Sequence, residues 1–583
     1  MKKPARRQQS GPALPAVSVP PRRGGWKWWQ WALATAALLF VVIEVYAPAL
    51  GGPFLFDDVY LPFAMPGVEK LSFTEWLQGV RPMLMLTFWM NYNLSGTQPL
   101  PYHVVNLLFH FINAILLFLL VRRLLSRAGE SGFTRDFTAA FASAVFLLHP
   151  VQTESVAYVA SRSESLSLLF FFAAFAAFLY RRSEAIGFGS SAIVVLLFGC
   201  ALLVKEHTAV LPVLLLLTDY YWNQPPFSLQ GIRRNWRLYV PIAVLTLCGG
   251  VLVWGVLQAA DTAGFRVEGL AWYEYFFTQW RAIWVYIRLF VLPFGQSLDY
   301  AYPLSRTPLD HGAILGLIGL LLPAGAAIYY RRRFPMASYG FFVFLILLAP
   351  TSSLVPIKDP LAERRLYLPM IGLLLILVDL LRRWRISRAQ LVAACAAVLV
   401  VLSVLTYQRN KVWSDPILLW QDTVAKSPHN SRARFQLAYA YYQSGRCAES
   451  VRAYEETAQL TRPDYRLLVD WALAYDCNNQ PAEALARLEQ AAALEKSAHV
   501  YSLIGMVHAK RKRYPEAMTA LDTAIHLDPN YSMTYVYRGN IHALQGEYRK
   551  AVEEYRRALA ADPSNQPARE ALAVAESNLK QGF

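Results

Sequence analysis

The chain has 583 residues, of which 55% are hydrophobic, 14% aromatic and only 16% charged. A soluble domain is about 45–50% apolar and about 25% charged, so the composition excludes a soluble globular protein. It also excludes a disordered chain, which needs low hydrophobicity and high charge; 31 glycines and five cysteines exclude collagen-like and disulfide-dense scaffolds. The net charge of +16 would suit a nucleic-acid binder, but the basic residues sit in clusters between apolar runs, the pattern of a membrane protein's cytoplasmic loops.

The average hides two different chains. Up to residue 407 the sequence alternates apolar runs with short charged punctuation; beyond it the chain is polar, rich in Ala and Tyr, and helical in period. Transmembrane helices need about 20 mostly apolar residues, and only the first part supplies them. The expected fold is all-α: a polytopic transmembrane helical domain over 28–407, a connector over 408–430, and a helical repeat domain over 431–583.

Residues 1–27 carry seven basic residues, no acidic one and several prolines, and read as a disordered cytoplasmic tail. The apolar run at 28–49, entered through Trp26, Trp28 and Trp29, is too long for a signal-peptide core and reads as a retained first helix. Basic clusters then mark cytoplasmic loops: Arg122, Arg123 and Arg127; Arg181 and Arg182; Arg233, Arg234 and Arg237; Arg331–Arg333; Arg382, Arg383, Arg385 and Arg388. Between the clusters at 237 and 331 lie three apolar runs, at 238–258, 277–293 and 312–330, where an even number is needed to keep both clusters on one side. The middle run carries Trp280, Arg281, Trp284, Tyr286 and Arg288 at helical spacing, which suits an interfacial or re-entrant helix. Eleven spans follow, with the C-terminal domain outside the cytoplasm; twelve spans would place it inside.

From 431 to 565 the sequence repeats with a period of 34: Tyr514, Glu516 and Ala517 return as Tyr548, Lys550 and Ala551, and Asp528-Pro529-Asn530 returns as Asp562-Pro563-Ser564. Gly505 and Gly539 share a position. This is the tetratricopeptide period, with about four repeats and a capping helix near 566–579. Stacked helix pairs of this kind form a concave superhelix able to hold extended partners; a scaffold or dimerisation arm is the plainer alternative. Cys447 opens one repeat helix and Cys477 closes the next, so antiparallel stacking brings them to the same end. In an oxidising compartment a disulfide could join them, the alternative being two free thiols. Cys200, Cys248 and Cys395 lie in apolar runs and read as inert core residues.

Ionisable groups at membrane depth are costly and mark functional positions. The non-cytoplasmic helix ends carry several: Asp57-Asp58 after the first helix; Arg81; His103, Asn106 and His110; His149, Glu154, Arg162 and Glu164; Lys205, Glu206 and His207; Lys358, Asp359, Glu363, Arg364 and Arg365. Each alone reads equally as an interface anchor or an internal salt bridge. Together they describe a polar cavity of mixed charge opening outward, able to hold a phosphate through Arg or Lys. Two adjacent carboxylates near aromatics repel each other, and burial raises at least one pKa, which suits a general base or a cation site. No strict metal-spacing motif is present, so no metal is assigned, and the need for a divalent cation (Mg or Mn) stays open.

The blocks F-D-D-V, R-P-M-L-M-L-T-F-W-M-N-Y, P-Y-H-V-V-N-L-L-F-H, H-P-V-Q-T-E-S-V, S-R-S-E, L-V-K-E-H and A-E-R-R-L-Y-L-P, in this order and followed by the repeats, resemble the transmembrane-and-tetratricopeptide-repeat O-mannosyltransferases, GT-C glycosyltransferases related to the protein O-mannosyltransferases. The resemblance covers the whole chain. It departs from the family at Gln152, usually His, and in the stretch Arg364 to Met370, usually R-Y-L-Y-L-P-S. The small repeat number is expected of a bacterial relative in the inner membrane with its repeats in the periplasm.

The resemblance implies transfer of a monosaccharide, mannose by kinship, from a polyprenyl-phosphate carrier to Ser or Thr hydroxyls of a polypeptide, with inversion. It gives the acidic pair of the first outer loop, here Asp57 or Asp58, the role of base. Arg81, Lys205 and Arg364 are then candidates to stabilise the leaving phosphate, with His103, His149, Glu154, Arg162, Glu164, Glu206 and Glu363 around the same cavity. The repeats would bind the acceptor. Competing readings are a glycosyltransferase acting on a lipid or cell-envelope glycan, and a non-enzymatic membrane-anchored scaffold. A transporter would show broken helices at mid-bilayer and inverted repeats, and the sequence has neither.

Overall fold

The computed structural model describes residues 28–65, 67–259 and 262–580; the basic tail at 1–27 lies outside the described residues. Among these the chain is all helical, with no β-strand and one isolated bridge between Ala263 and Ile357. Among the described residues, six helices are long and apolar enough to cross a membrane: Trp28–Leu50, Pro99–Arg127, Val159–Leu179, Trp236–Gly255, Asp310–Tyr329 and Arg388–Val412. Three shorter apolar helices, Phe188–Leu202, Pro335–Leu348 and Met370–Leu381, stand beside them. Gly132–Leu148 and Leu211–Trp222 are two further helices packed in the same bundle.

The outer helices show why this bundle needs lipid. Leu247, Val251, Leu321, Leu322, Val400 and Val401 are each more than half exposed. Apolar surface on this scale in water would drive association; in a bilayer it is matched by the solvent. Inside, helices meet closely. A Cβ added at Gly340 would sit 2.6 Å from the carbonyl oxygen of Gly372 on the neighbouring helix, an approach only small residues permit.

The ends of the bundle differ. At one, the predicted basic clusters converge. Arg123 and Arg127 donate to the Leu179 carbonyl, Arg382 pairs with Glu130 at 2.7 Å, and Arg383 donates to the Arg333 carbonyl. At the other end lie the loops 51–81, 149–161, 203–210 and 349–369. The helix Trp272–Val291 lies across that second end. Its start bonds there, Tyr275 donating to the Thr351 carbonyl at 2.6 Å, and so does its last turn, where His149 meets the Phe290 carbonyl at 3.0 Å. It buries Tyr275, Gln279, Ile283 and Tyr286 and exposes Tyr273 and Trp284, the amphipathic pattern expected of a helix at the interface.

The repeat domain is four helix pairs, from Ser431–Gln443 with Cys447–Leu460 through Ser532–Leu544 with Tyr548–Ala561, closed by Gln566–Lys580. The position shared by Gly505 and Gly539 is where each pair touches: a Cβ there would meet Leu521 Cγ at 2.6 Å or Tyr555 Cε1 at 2.5 Å. A disulfide joins Cys447 to Cys477, with Cα atoms 5.6 Å apart. The expectation of core cysteines is met at Cys395, which is buried, and not at Cys248, which is exposed beside Leu247 on an outer helix. The segment between bundle and repeats is itself structured. Helix Arg388–Val412 ends at the second end of the bundle, and helix Pro416–Lys426, capped by Asp415 and started by Pro416, packs on the first repeat.

Candidate functional site at the loop end of the bundle

The first outer loop forms a short 3-10 helix, Phe56–Tyr60. The turn separates the two acidic neighbours. Asp58 points inward and is almost fully buried; its Oδ2 accepts the Leu55 N–H at 3.0 Å and its Oδ1 the Ala160 N–H at 2.6 Å. Burial pushes its carboxyl up to about 7, against the pull of those backbone donors. Asp58 thus ties the 51–60 loop to the 157–162 loop. Asp57 faces solvent, and its N–H donates to the Tyr158 hydroxyl at 2.9 Å. Burial and both carboxylates raise the Tyr158 pKa, so the phenol stays protonated beside them. Tyr158 has no sequence signal of a site: it is one aromatic in the apolar stretch V-A-Y-V-A.

Next to this pair runs a chain of ion pairs. Arg364 Nη1 pairs with Glu154 Oε1 at 2.5 Å, and Glu154 Oε2 accepts the Arg364 N–H at 2.9 Å. Lys205 pairs with Glu164, and Arg81 grips Glu206 with two hydrogen bonds of 3.0 Å. His207 stands 3.8 Å from Glu164. These pairs act on one another: Arg364 and Lys205 both influence Glu164, Arg81 influences Lys205, and Tyr158 influences Arg364. Arg81, Lys205, Glu206, Glu164, Glu154 and Arg364 therefore form one network, which Tyr158 connects to the turn of Asp57 and Asp58. Arg81 remains the most open member, its side chain 38% exposed.

Other predicted site residues make no hydrogen bond or ion pair with the members of this network. Arg162 is fully buried and spends its guanidinium on Asn106 Oδ1 and the carbonyls of Thr87 and Tyr102, stacked over Phe88. His103 meets the Gly52 carbonyl and His149 the Phe290 carbonyl. Glu363 is enclosed by Gln296, the Ser297 N–H and the Tyr300 hydroxyl, and burial raises its pKa. In this arrangement all four hold loops in place. Position 152, where the resemblance expects His, places Gln152 in full burial with its amide against Met370 Sδ. Among the described residues, no three His, Cys, Asp or Glu side chains gather as a metal cradle.

The repeats dock on this same end. Trp413 and Trp420 are buried between Tyr158, Phe56 and the first repeats, in one apolar core that joins Ala49 and Leu55 to Leu437 and Leu467. Around it Arg432 bridges Asp299 and Asp359 at 2.6 and 2.8 Å, and Lys426 donates to the Gln296 carbonyl. Arg466, on the second repeat, donates to the hydroxyl of Tyr60, three residues from Asp57.

Fold and site define a multi-pass helical membrane protein whose charged loop end is overlaid by tetratricopeptide repeats. Family models for the tetratricopeptide repeat match residues 469–532 and 532–565. A protein O-mannosyl-transferase of Caenorhabditis elegans is 24% identical over 73% of this chain and 62% of its own length. The human protein O-mannosyl-transferase TMTC3 is 24% identical over 86% of the chain and 59% of its own. The homologues of this chain are thus the transmembrane-and-tetratricopeptide-repeat protein O-mannosyl-transferases, as the sequence blocks indicated. The chain spans about six tenths of the length of the curated relatives it matches. Among solved structures, the crystal structure of MamA is 19% identical, covering 25% of this chain and 86% of that one at a TM-score of 0.23.

Proposed function

We propose that the chain is a lipid-phosphate-sugar-dependent glycosyltransferase that moves mannose from a polyprenyl phosphate to Ser or Thr hydroxyls of exported polypeptides. The observation that carries the reading is the pairing of a solvent-facing carboxylate, Asp57, with a neighbouring network of Arg81, Lys205 and Arg364, on the end of the bundle that the repeats cover. In this reading Asp57 is the base. It takes the acceptor hydroxyl's proton as the oxygen attacks the anomeric carbon from the face opposite the phosphate. The carbon–oxygen bond to the phosphate breaks, the configuration inverts, and the lipid phosphate leaves with the bonding pair. A base must come within hydrogen-bond reach of the proton. Asp57 is open to an acceptor, whereas Asp58 already spends both oxygens on backbone donors. Asp58 and Tyr158 are then positioning residues. The cations stabilise charge on the leaving phosphate, an electrostatic contribution usually among the largest. Arg81 suits first contact because it is the most exposed of the three.

The repeats would present the acceptor, since Arg466 and Tyr60 connect their second unit to the turn that carries Asp57. The sidedness follows the charge: arginine clusters mark the cytoplasmic end, so the site and the repeats face away from the cytoplasm, where a Cys447–Cys477 disulfide persists.

The test is a transfer assay in membranes carrying the full chain, with polyprenyl-phosphate-linked [³H]mannose as donor. Wild type labels protein; Asp57→Asn, expressed equally, loses about 100-fold or more of the rate, the contribution typical of a positioned base. Label on lipid or glycan alone would favour a different acceptor class. Equal protein labelling by both chains would refute Asp57 as base.

A further inference from the structure

The opposite end of the bundle holds a cavity of about 300 Å³, lined by Arg123, Arg127, Arg181 and Arg182 together with Trp222 and Asn223. That volume is at the lower end of small-ligand cavities. It opens where helices Pro99–Arg127, Arg162–Leu179 and Leu211–Trp222 terminate, at the level where their apolar surfaces give way to water.

The charge in this cavity is not balanced by the protein. Arg181 is the exception: it pairs with buried Asp219 at 3.2 Å. Asp219 also accepts from Asn223, Asn235 and Tyr239; its charge is felt at Arg127 without a direct contact, against the opposing charges of Arg181 and Arg123. Arg123 reaches only the Leu179 carbonyl, with its guanidinium over the Tyr180 ring. Arg127 reaches only the carbonyls of Trp222 and Leu179. Arg182 is exposed and makes no ion pair among the described residues. The lining carboxylate, Glu184, is engaged by Arg234. Two donors of the lining, Arg127 Nε and Trp222 Nε1, are buried without a partner. Buried donors in native structures are almost always satisfied, and three like charges around one small volume repel unless an anion sits among them.

We propose that this cavity is a phosphate site. Its ligand is a phosphate or diphosphate group, held by Arg123, Arg127 and Arg182, with the planar guanidinium geometry that suits phosphate oxygens. Two sources share this chemistry: the headgroup of an anionic membrane lipid, for which basic pockets between helices on the cytoplasmic side are a known design, and a soluble diphosphate. The location, at the rim of lipid-facing helices, is open to both. The site is at the far end of the bundle from Asp57 and takes no part in the transfer step proposed above, so it stands or falls separately.

The experiment uses the delipidated full chain in neutral detergent, wild type against Arg123→Gln/Arg182→Gln. Neither arginine has a carboxylate partner to strand, and equal melting temperatures of the two ligand-free proteins confirm that the variant folds. In one arm, phosphatidylglycerol and phosphatidylcholine of the same acyl chains are titrated and bound copies counted by native mass spectrometry. In the other, inorganic pyrophosphate is titrated and thermal protection measured. The proposal expects one probe to bind wild type at least tenfold more tightly than the variant, with the difference shrinking as salt rises. Arginine-dependent retention of phosphatidylglycerol over phosphatidylcholine identifies a lipid headgroup; arginine-dependent protection by pyrophosphate identifies a soluble ligand. Equal binding of both probes to both proteins, or no binding of either, overturns it.

Discussion

The two ends of the bundle use charge in opposite ways. At the loop end, cations and carboxylates come in matched pairs, Arg81 with Glu206, Lys205 with Glu164 and Arg364 with Glu154, and Asp57, on the turn that Tyr158 joins to them, faces solvent. At the arginine end, cations outnumber partners and lean on backbone carbonyls and aromatic rings. The difference teaches how each end treats a visitor. A matched network holds its geometry before a charged substrate arrives, the preorganisation that favours chemistry. A surplus of cations calls for an anion simply to be at rest, which favours binding.

The comparison breaks most sharply at Arg364. Glu154 is only 2% exposed, so Arg364→Gln leaves a buried carboxylate without its cation, an error worth about 3–5 kcal/mol. Both stability and transfer fall. Adding Glu154→Gln removes the stranded charge, and the melting temperature recovers while transfer stays at least about tenfold low; recovery of both would mean that the pair is purely structural. Next in size is the disulfide. Cys447→Ser/Cys477→Ser opens a link between residues 30 apart and costs the repeats about 2–4 kcal/mol, read as earlier unfolding of residues 431–480 by hydrogen exchange. The bundle core should be unchanged.

A smaller effect sharpens the contrast between the acidic neighbours. Asp58 titrates near 7 when folded against about 4 in an unfolded chain. The folded state therefore holds an extra proton between those values, and stability falls as pH rises from about 4 to about 7. The melting temperature of wild type should decline across that window beyond the decline seen in Asp58→Asn. Matching slopes would show that Asp58 does not carry this linkage. The smallest effect belongs to Arg432, which is 39% exposed. Arg432→Ala should cost about 1 kcal/mol or less, seen as faster exchange in helix Pro416–Lys426 alone.

Much of this was legible in the sequence because it rests on local rules. Apolar length, arginine clusters and a 34-residue period announce helices, ends and repeats without knowledge of the partners. Even the crosswise helix Trp272–Val291 was visible, because its aromatic and basic residues fall on helical spacing. What was hidden depends on contacts far apart in the chain. Nothing local says that Asp58 turns inward to Ala160 while Asp57 turns outward; the separation comes from a single 3-10 turn. Arg162 reads like a ligand for phosphate, yet burial commits it to Asn106 and two carbonyls. Tyr158, Trp413 and Trp420 look like ordinary apolar residues until the repeats close over them. The arginines were read correctly as markers of one end, but spacing alone could not show that three of them surround one cavity without counter-charge.

The measurement that tests the account most directly is the sidedness of the two ends. In a chain with Cys200, Cys248 and Cys395 changed to Ala, single cysteines replace Thr519 on the repeats and Ser183 at the arginine end, both exposed. Intact cells are then treated with a membrane-impermeant maleimide. Labelling of Thr519→Cys without permeabilisation, and of Ser183→Cys only after it, is the predicted result. The reverse pattern would put the carboxylates and the repeats in the cytoplasm and contradict the account.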